Sequence, residues 1–275
     1  MRILHGRVTM MGSESVPVGI DPTKPSISRV YDALLGGKDY YEVDQHVVDH
    51  LVETMPQVDV LAKLNRAILG RGVRYLAGEA GLKQYLDLGA GLPTMENTHQ
   101  VAQSFQPDAR VVYVDNDPIV LAHGRALLEQ DKSTRVVTAD LREPDKVLAH
   151  PDVQKMIDFS EPVAVLLVGM LHHLHDGEDP EGVVDGYLDA VPPGSHVFIT
   201  HFINEGPEAG PVEQSFLEYL GTGRFRTRAE ILRLFRGLEL VEPGLAYLPE
   251  WRPDHIVRDK LTLAERLMVG GIARK

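Results

Sequence analysis

Short apolar runs alternate with helix-like stretches over roughly 190 residues, and that alternation restricts the fold more than any other feature of the chain. The runs are Tyr85–Leu88, Val111–Val114, Arg135–Thr138, Val163–Val168 and Val197–Phe202, with two more at Leu238–Val241 and Leu267–Ala273. The first five are short, apolar and largely β-branched, as strands buried on both faces are. Helices fit between them. Pro118–Leu128 follows Asp117, an N-cap with proline at the first helical position, and Pro180–Ala190 follows Asp179 in the same way. Thr227 and Glu230 form a capping box ahead of Ile231, Leu234 and Phe235. Connections of this kind are right-handed, which predicts a doubly wound, mostly parallel sheet.

A helical preface precedes the alternating part. Ser26 is placed to cap a helix carrying Ile27, Val30, Ala33 and Leu34 at helical spacing, which Gly36-Gly37 ends. Val43 to Thr54 reads as a second helix, stopped by Pro56, and Val58 to about Ala77 as a third. Residues 1–20 are mixed in character and expected to be loosely held. The resulting division is a helical extension over 1–80 and an α/β domain over 81–275.

Composition narrows the function classes. Hydrophobic residues make up 43% and charged residues 25%, enough apolar side chains for a sizeable core. The absence of cysteine excludes disulfides and thiolate chemistry and suits a cytoplasmic setting. No apolar stretch has the length of a signal peptide core or a membrane span, so neither is expected. A net charge of −12 argues against general nucleic-acid binding.

The cleft chemistry is concentrated at strand ends. Asp87-Leu-Gly-Ala-Gly91 leaves the first strand through a Gly-x-Gly turn, where the backbone takes open angles and approaches a ligand closely. The third glycine of the dinucleotide pattern is absent, because Thr94 stands there after Pro93. A ligand without pyrophosphate does not need that third glycine. Asp115 ends the second strand, 26 residues beyond Gly89, where an acid can accept hydrogen bonds from two ribose hydroxyls. Asp140 ends the third strand, where it can accept from an adenine amine, or else stand as a loop acid.

These residues, with the strand ending at Gly169 and the following Met170-Leu-His-His-Leu174, resemble the class I S-adenosylmethionine-dependent methyltransferases. Arg29-Val-Tyr-Asp-Ala-Leu-Leu-Gly-Gly-Lys38-Asp39-Tyr40 and Trp251-Arg-Pro-Asp254 resemble, more narrowly, a bacterial S-adenosyl methyltransferase family once catalogued as a domain of unknown function. The resemblance implies a Rossmann-like sheet of seven mostly parallel strands and S-adenosyl-L-methionine as cofactor. It implies that Asp87, Gly89, Ala90 and Gly91 meet the methionine part, with Gly169 and Met170 beside it. Asp115 would take the ribose and Asn116 the adenine, flanked by Asp140 and Leu141. The N-terminal motif would act as a lid, bringing Tyr31, Lys38 and Asp39 to the cofactor, with Lys38 pairing with its carboxylate.

The acceptor side is less determined. His172, His173, His201 and Tyr40 are the candidate catalytic groups, beside the alternative that they are satisfied polar side chains. His172, His173 and His175 are poorly spaced for a common metal, and no metal is expected. Arg224, Arg226, Arg228, Arg233 and Arg236 form a basic run that reads either as a solvated helix face or as a contact for an anion. The expected reaction is methyl transfer to a small-molecule acceptor. Two alternatives are a non-catalytic cofactor-binding regulator and an NAD-dependent oxidoreductase.

Overall fold

The computed structural model describes residues 20–93, 96–127, 132–257 and 260–275. Residues 1–19, Thr94 in the turn and the expected helix end at Leu128 lie outside the described residues. The first three helices are α1 (Ile27–Leu34), α2 (Glu42–Thr54) and α3 (Val58–Arg74), the last continuing into a π-helical turn at Tyr75–Glu79. The sheet then begins. Its first five strands are β1 (Gln84–Leu88), β2 (Arg110–Asp115), β3 (Thr134–Thr138), β4 (Ala164–Val168) and β5 (His196–Phe202). Short strands β6 (Glu239–Leu240) and β7 (Ala246–Tyr247) follow, and β8 (Met268–Arg274) ends the chain. Between them lie α4 (Thr98–Phe105), α5 (Pro118–Leu127), α6 (Pro144–Leu148), α7 (Pro151–Met156), α8 (Pro180–Ala190), α9 (Ala209–Leu220), α10 (Arg228–Arg233) and α11 (Leu263–Arg266).

The spatial order is β3-β2-β1-β4-β5-β8-β6, with β7 also on β8. Strands β1 to β5 are parallel, and β8 runs antiparallel to β5. The sequence order reverses between β1 and β4. A crevice forms at such a switch point, beyond the carboxyl ends of the strands. The Gly89–Gly91 turn and Gly169 both lie there.

The caps expected from the sequence hold at α8 and α10. Asp179 accepts from the Gly182 amide at 3.0 Å, and Thr227 and Glu230 form their reciprocal box. Ser26 behaves differently. Its hydroxyl makes no cap for α1 and instead donates to Asp117, the residue that caps α5 through the Ile119 amide at 2.9 Å. A local cap is thus replaced by a contact between two helices far apart in sequence.

The preface helices share one core with the sheet. Leu51, Leu61, Ile68 and Val73 from α2 and α3 join Tyr85, Val111, Phe198 and Ile272 in a single buried cluster. Each such side chain contributes roughly 1.5–3 kcal/mol by leaving water. Gly72 allows the closest approach: a Cβ there would lie 2.3 Å from the Phe198 ring. Arg71 fastens the end of α3, donating to the carbonyls of Trp251 at 2.9 Å and Leu248 at 2.6 Å. Asp254 pairs with Arg74 at 2.6 Å, so the Trp251–Asp254 motif anchors α3 to the sheet edge.

The N-terminal motif is likewise occupied with its own fold. Arg29 donates to Asp44 at 2.7 Å, with both side chains buried, and Asp44 also accepts from the amides of Ser26 at 2.9 Å and Tyr41 at 2.8 Å. Asp32 accepts from the Asp39 amide at 2.9 Å. Gly37 must lack a side chain, since its Cβ would sit 2.1 Å from the Asp32 carboxylate oxygens. Gly36 takes φ of +81°, the left-handed angle that ends α1.

Candidate functional site

A cleft with about 1120 Å³ of empty space, its open mouth included, lies at the switch point between β1, β4 and the preface helices. One end is polar and built on strand ends. Gly89 has φ of +78° and Gly91 φ of +65°, angles that side chains rarely adopt. A Cβ on Gly89 would meet Met170 at 2.2 Å, whereas a Cβ on Gly91 would meet no atom of the described residues within 4 Å. The first glycine therefore makes room for a neighbour, and the second leaves open space over the turn.

Two buried acids flank the turn. Asp115 accepts from the Gly91 amide and the Asp117 amide, both at 2.9 Å, so its carboxylate sets the shape of the turn while lining the cleft. Asp87 accepts from the Thr98 hydroxyl at 2.6 Å, at the start of α4. Burial pushes both carboxyls up to about 6, against the lowering effect of these hydrogen bonds. Arg66 of α3 lines the same end and lowers the Asp87 carboxyl by its charge; it also donates to the Glu96 carbonyl at 3.4 Å.

The other end is apolar. Leu51, Val58, Leu61, Phe202, Phe216 and Met268 line it, drawn from α2, α3, β5, α9 and β8. Between the two ends runs a polar seam: Thr200 donates to Asn65 at 2.6 Å, Asn65 to the Tyr31 hydroxyl at 3.2 Å, and Tyr31 to the Ala62 carbonyl at 3.1 Å. A Cβ on Gly169 would lie 2.8 Å from the Asn65 amide nitrogen, so that glycine lets α3 approach β4.

His172 and His173 also line the cleft, with ring centroids 4.2 Å apart. Burial holds the His172 imidazole well below its usual range and brings His173 down to about 4, so both are neutral at pH 7. His201 lies behind them. It accepts at Nε2 from Arg226 at 3.0 Å and donates from Nδ1 to the Phe202 carbonyl at 2.7 Å. Burial brings its ring down to about 3.

The structure thus brings Tyr31, Asp87, Gly89, Ala90, Gly91, Asp115, Asn116, Gly169, Met170, His172 and His173 to one cleft. Lys38, Asp39, Tyr40, Asp140, Leu141 and His201 are not among its lining residues. Lys38 is exposed on the turn after α1, and Asp39 faces His123 at 3.6 Å. Asp140 holds Arg142 at 2.6 Å, and the Leu141 carbonyl accepts from Tyr187 at 2.8 Å. The basic run is neither a free cationic face nor an open anion site. Arg224 pairs with Glu213, Arg226 with Asp176, Arg228 with Glu205 and Arg233 with Glu181, each within 3.0 Å, and Arg236 with Asp185 at 2.6 Å. Sequence reasoning missed Asn65 and Arg66. Their spacing on α3 carries no motif, and only the packing of α3 on the sheet turns them toward the turn.

A family model described as S-adenosyl methyltransferase matches residues 13–275. The chain belongs to the S-adenosyl methyltransferase family. A Thermobifida fusca YX protein assigned as a methyltransferase is 53% identical in sequence, with a TM-score of 0.91 over 94% of this chain and 98% of that one. A DUF574 family protein from Streptomyces avermitilis MA-4680 is 38% identical, with a TM-score of 0.88 over 93% of this chain and 99% of that one. Among curated proteins, no relative matches. The methyltransferase family uses S-adenosylmethionine as cofactor, and the polar end of the cleft fits it. The open space over Gly91 and the two buried carboxylates beside it suit a ligand that carries hydroxyl and ammonium donors. No helix among the described residues is long and apolar enough to cross a membrane.

Proposed function

We propose that the protein is an active methyltransferase acting on a small-molecule acceptor. When bound, S-adenosylmethionine supplies a sulfonium methyl group, which the acceptor nucleophile takes by direct displacement, the electron pair returning to sulfur. The observation that carries this reading is the second, apolar end of the cleft. A module that only senses the cofactor needs the polar end; a transferase also needs room for another molecule in line with it.

In this reading the chain binds, aligns and excludes water. Gly89, Ala90 and Gly91 supply close backbone approach. Asp115 accepts from the ribose hydroxyls, and Asn116 borders the adenine. Asp87 receives the amino group of the methionine part, and Arg66, rather than Lys38, meets its carboxylate. Opposite charges on the two sides of the turn match a zwitterion. Gly169, Met170 and Tyr31 border the path of the methyl group. Helices α1 to α3 of the extension assigned to residues 1–80 cover the acceptor end, and residues 81–275 form the methyltransferase domain, in a cytoplasmic setting.

Calorimetric titration with S-adenosylmethionine, its demethylated product and NAD tests the cofactor half. Binding of the first two without NAD is expected, and NAD binding alone would overturn the reading. Incubation of a cell extract with the protein and a tritiated methyl donor tests the catalytic half. Label in a small-molecule fraction is expected; no transfer to any acceptor would favour a binding module.

A further inference from the structure

Two histidines that line the cleft each keep a buried ring nitrogen that no described residue satisfies. The Nδ1 atoms of His172 and His173 are shielded from solvent and find no hydrogen-bond partner among the described residues. Native proteins rarely leave such atoms unpaired, and each calls for an explanation. Their surroundings do not supply one. His172 packs edge-on against Phe202, centroids 4.6 Å apart, and against His201 at 5.7 Å. Phe202 in turn stacks on Phe225 at 4.4 Å and meets Phe216 at 5.1 Å.

The two rings are held in place from behind. The His172 carbonyl accepts from the Arg224 amide at 2.7 Å, and the His173 carbonyl from the Thr222 hydroxyl at 2.7 Å. Arg226, itself buried, donates to the carbonyls of Leu171 at 3.0 Å and Leu174 at 2.8 Å. The loop is therefore clamped on both sides of the pair. Fixed, dry and unpartnered groups lining a cavity are what a binding site needs for orientation.

The charges of the cleft are segregated. Asp87, Asp115 and Arg66 all stand at the cofactor end, and the described residues that line the cleft around Leu51, Val58, Leu61, Phe202, Phe216 and Met268 carry no charge. A charged acceptor group buried there would be stripped of water without a counter-ion. A neutral imidazole accepts from a hydroxyl or amine at one nitrogen and donates from the other, whereas an imidazolium can only donate.

We propose that the acceptor is an uncharged, largely apolar small molecule whose single protic group is held by hydrogen bonds to His172 and His173. The inference rests on the methyltransferase reading for the identity of the opposite end of the cleft. Within it, His172 and His173 set specificity and aim the reacting atom, and the aromatic and aliphatic wall selects for a flat apolar body.

Equilibrium dialysis of three probes tests this, with the cofactor end saturated by S-adenosylhomocysteine. The probes are 2-naphthol, naphthalene and 2-naphthoate. We expect 2-naphthol to bind about fivefold tighter than naphthalene, the worth of one neutral hydrogen bond, and 2-naphthoate to bind weakest. In a His172→Phe/His173→Phe double variant the advantage of 2-naphthol over naphthalene should vanish while naphthalene still binds; His172→Asn should keep part of it. Tightest binding of 2-naphthoate, no binding of any probe, or an unchanged preference in the double variant would overturn the proposal. The ranking on the wild-type protein stands even if the double variant does not fold. Loss of S-adenosylhomocysteine binding by the wild type would instead overturn the cofactor reading, and calorimetry without any probe detects that separately.

Discussion

The two ends of the cleft are made of different material. The polar end, which we assign to the cofactor, is mostly backbone and strand-terminal acids: Gly89, Gly91 and Gly169 at left-handed angles, with Asp87 and Asp115 at the tips of adjacent strands. The apolar end, which we assign to the acceptor, is side chain, collected from α2, α3, β5, α9 and β8. A backbone site is fixed once the sheet is paired. A side-chain site depends on how separate helices are held against it. The Arg29–Asp44 pair and the Arg71 anchor hold the helices that roof the acceptor end, and neither is among the residues lining the cleft. Stability and ligand affinity should therefore respond to different residues.

The largest expected effect tests the roof. Asp44→Ala leaves the buried Arg29 guanidinium without its carboxylate and removes the acceptor of two backbone amides. Loss of one partner of a buried pair costs about 3–5 kcal/mol. Urea unfolding should show that loss, while the affinity for S-adenosylhomocysteine at low temperature changes far less. A stability loss under about 1 kcal/mol would mean that the pair does not hold α1 to α2 as the geometry implies.

Much of the polar end of the cleft is legible in the sequence because its signals are local. A short apolar run, an acid and two glycines lie close together in the chain, and the helix Pro180–Ala190 starts directly after the Asp179 cap that marks it. Helix α4 is not evident from the sequence although Asn97 and Gln100 form a capping box, since Thr98–Phe105 is short and carries only Val101, Ala102 and Phe105 as apolar residues. Asn65 and Arg66 could not be read, because their roles depend on the placement of α3. The pairing of the arginine run is hidden from the sequence for the same reason: its acidic partners Glu181, Asp185, Glu205 and Glu213 lie on other segments. Lys38 drew attention through a distinctive motif whose residues turn out to close α1 on itself.

The second effect is smaller and tests the acids. Asp115→Ala should weaken cofactor binding by about 1.5–3 kcal/mol, the range for hydrogen bonds to a charged group. In the wild type, Asp87 and Asp115 both titrate near 6, raised by burial. Ligand hydroxyls and ammonium favour the ionised carboxylates, so affinity should be full above about pH 7 and fall as pH drops through 6. The slope should approach roughly tenfold per pH unit for each carboxylate that must be ionised. Folding stability should move the other way. An acid whose folded value is raised takes up its proton earlier in the folded state, so these two groups oppose folding at pH 7 and cease to do so as pH falls from about 6 toward the unfolded value of 3.8. Calorimetry across pH 5 to 8 separates the two trends, and a flat affinity profile would remove both acids from the cofactor site.

The smallest expected effect, at Lys38, discriminates between the motif and the geometry when set against Arg66. Lys38 is exposed and outside the cleft lining, whereas Arg66 is part of it, beside Asp87. If the carboxylate of the methionine part is met by a side chain of the cleft, Arg66→Ala should weaken S-adenosylhomocysteine binding by about 1.5–3 kcal/mol, as loss of a charge-assisted contact does. Lys38→Ala should then change affinity by less than about 0.5 kcal/mol, the usual range for an exposed substitution away from a site. Adenosine, which lacks the carboxylate, supplies the internal control: Arg66→Ala should leave its affinity nearly unchanged. The reverse ranking, with Lys38 the costly position, would mean that the turn after α1 folds inward when the cofactor binds. The roof would then be a moving part rather than the fixed wall that its buried Arg29–Asp44 and Asp32–Asp39 contacts describe.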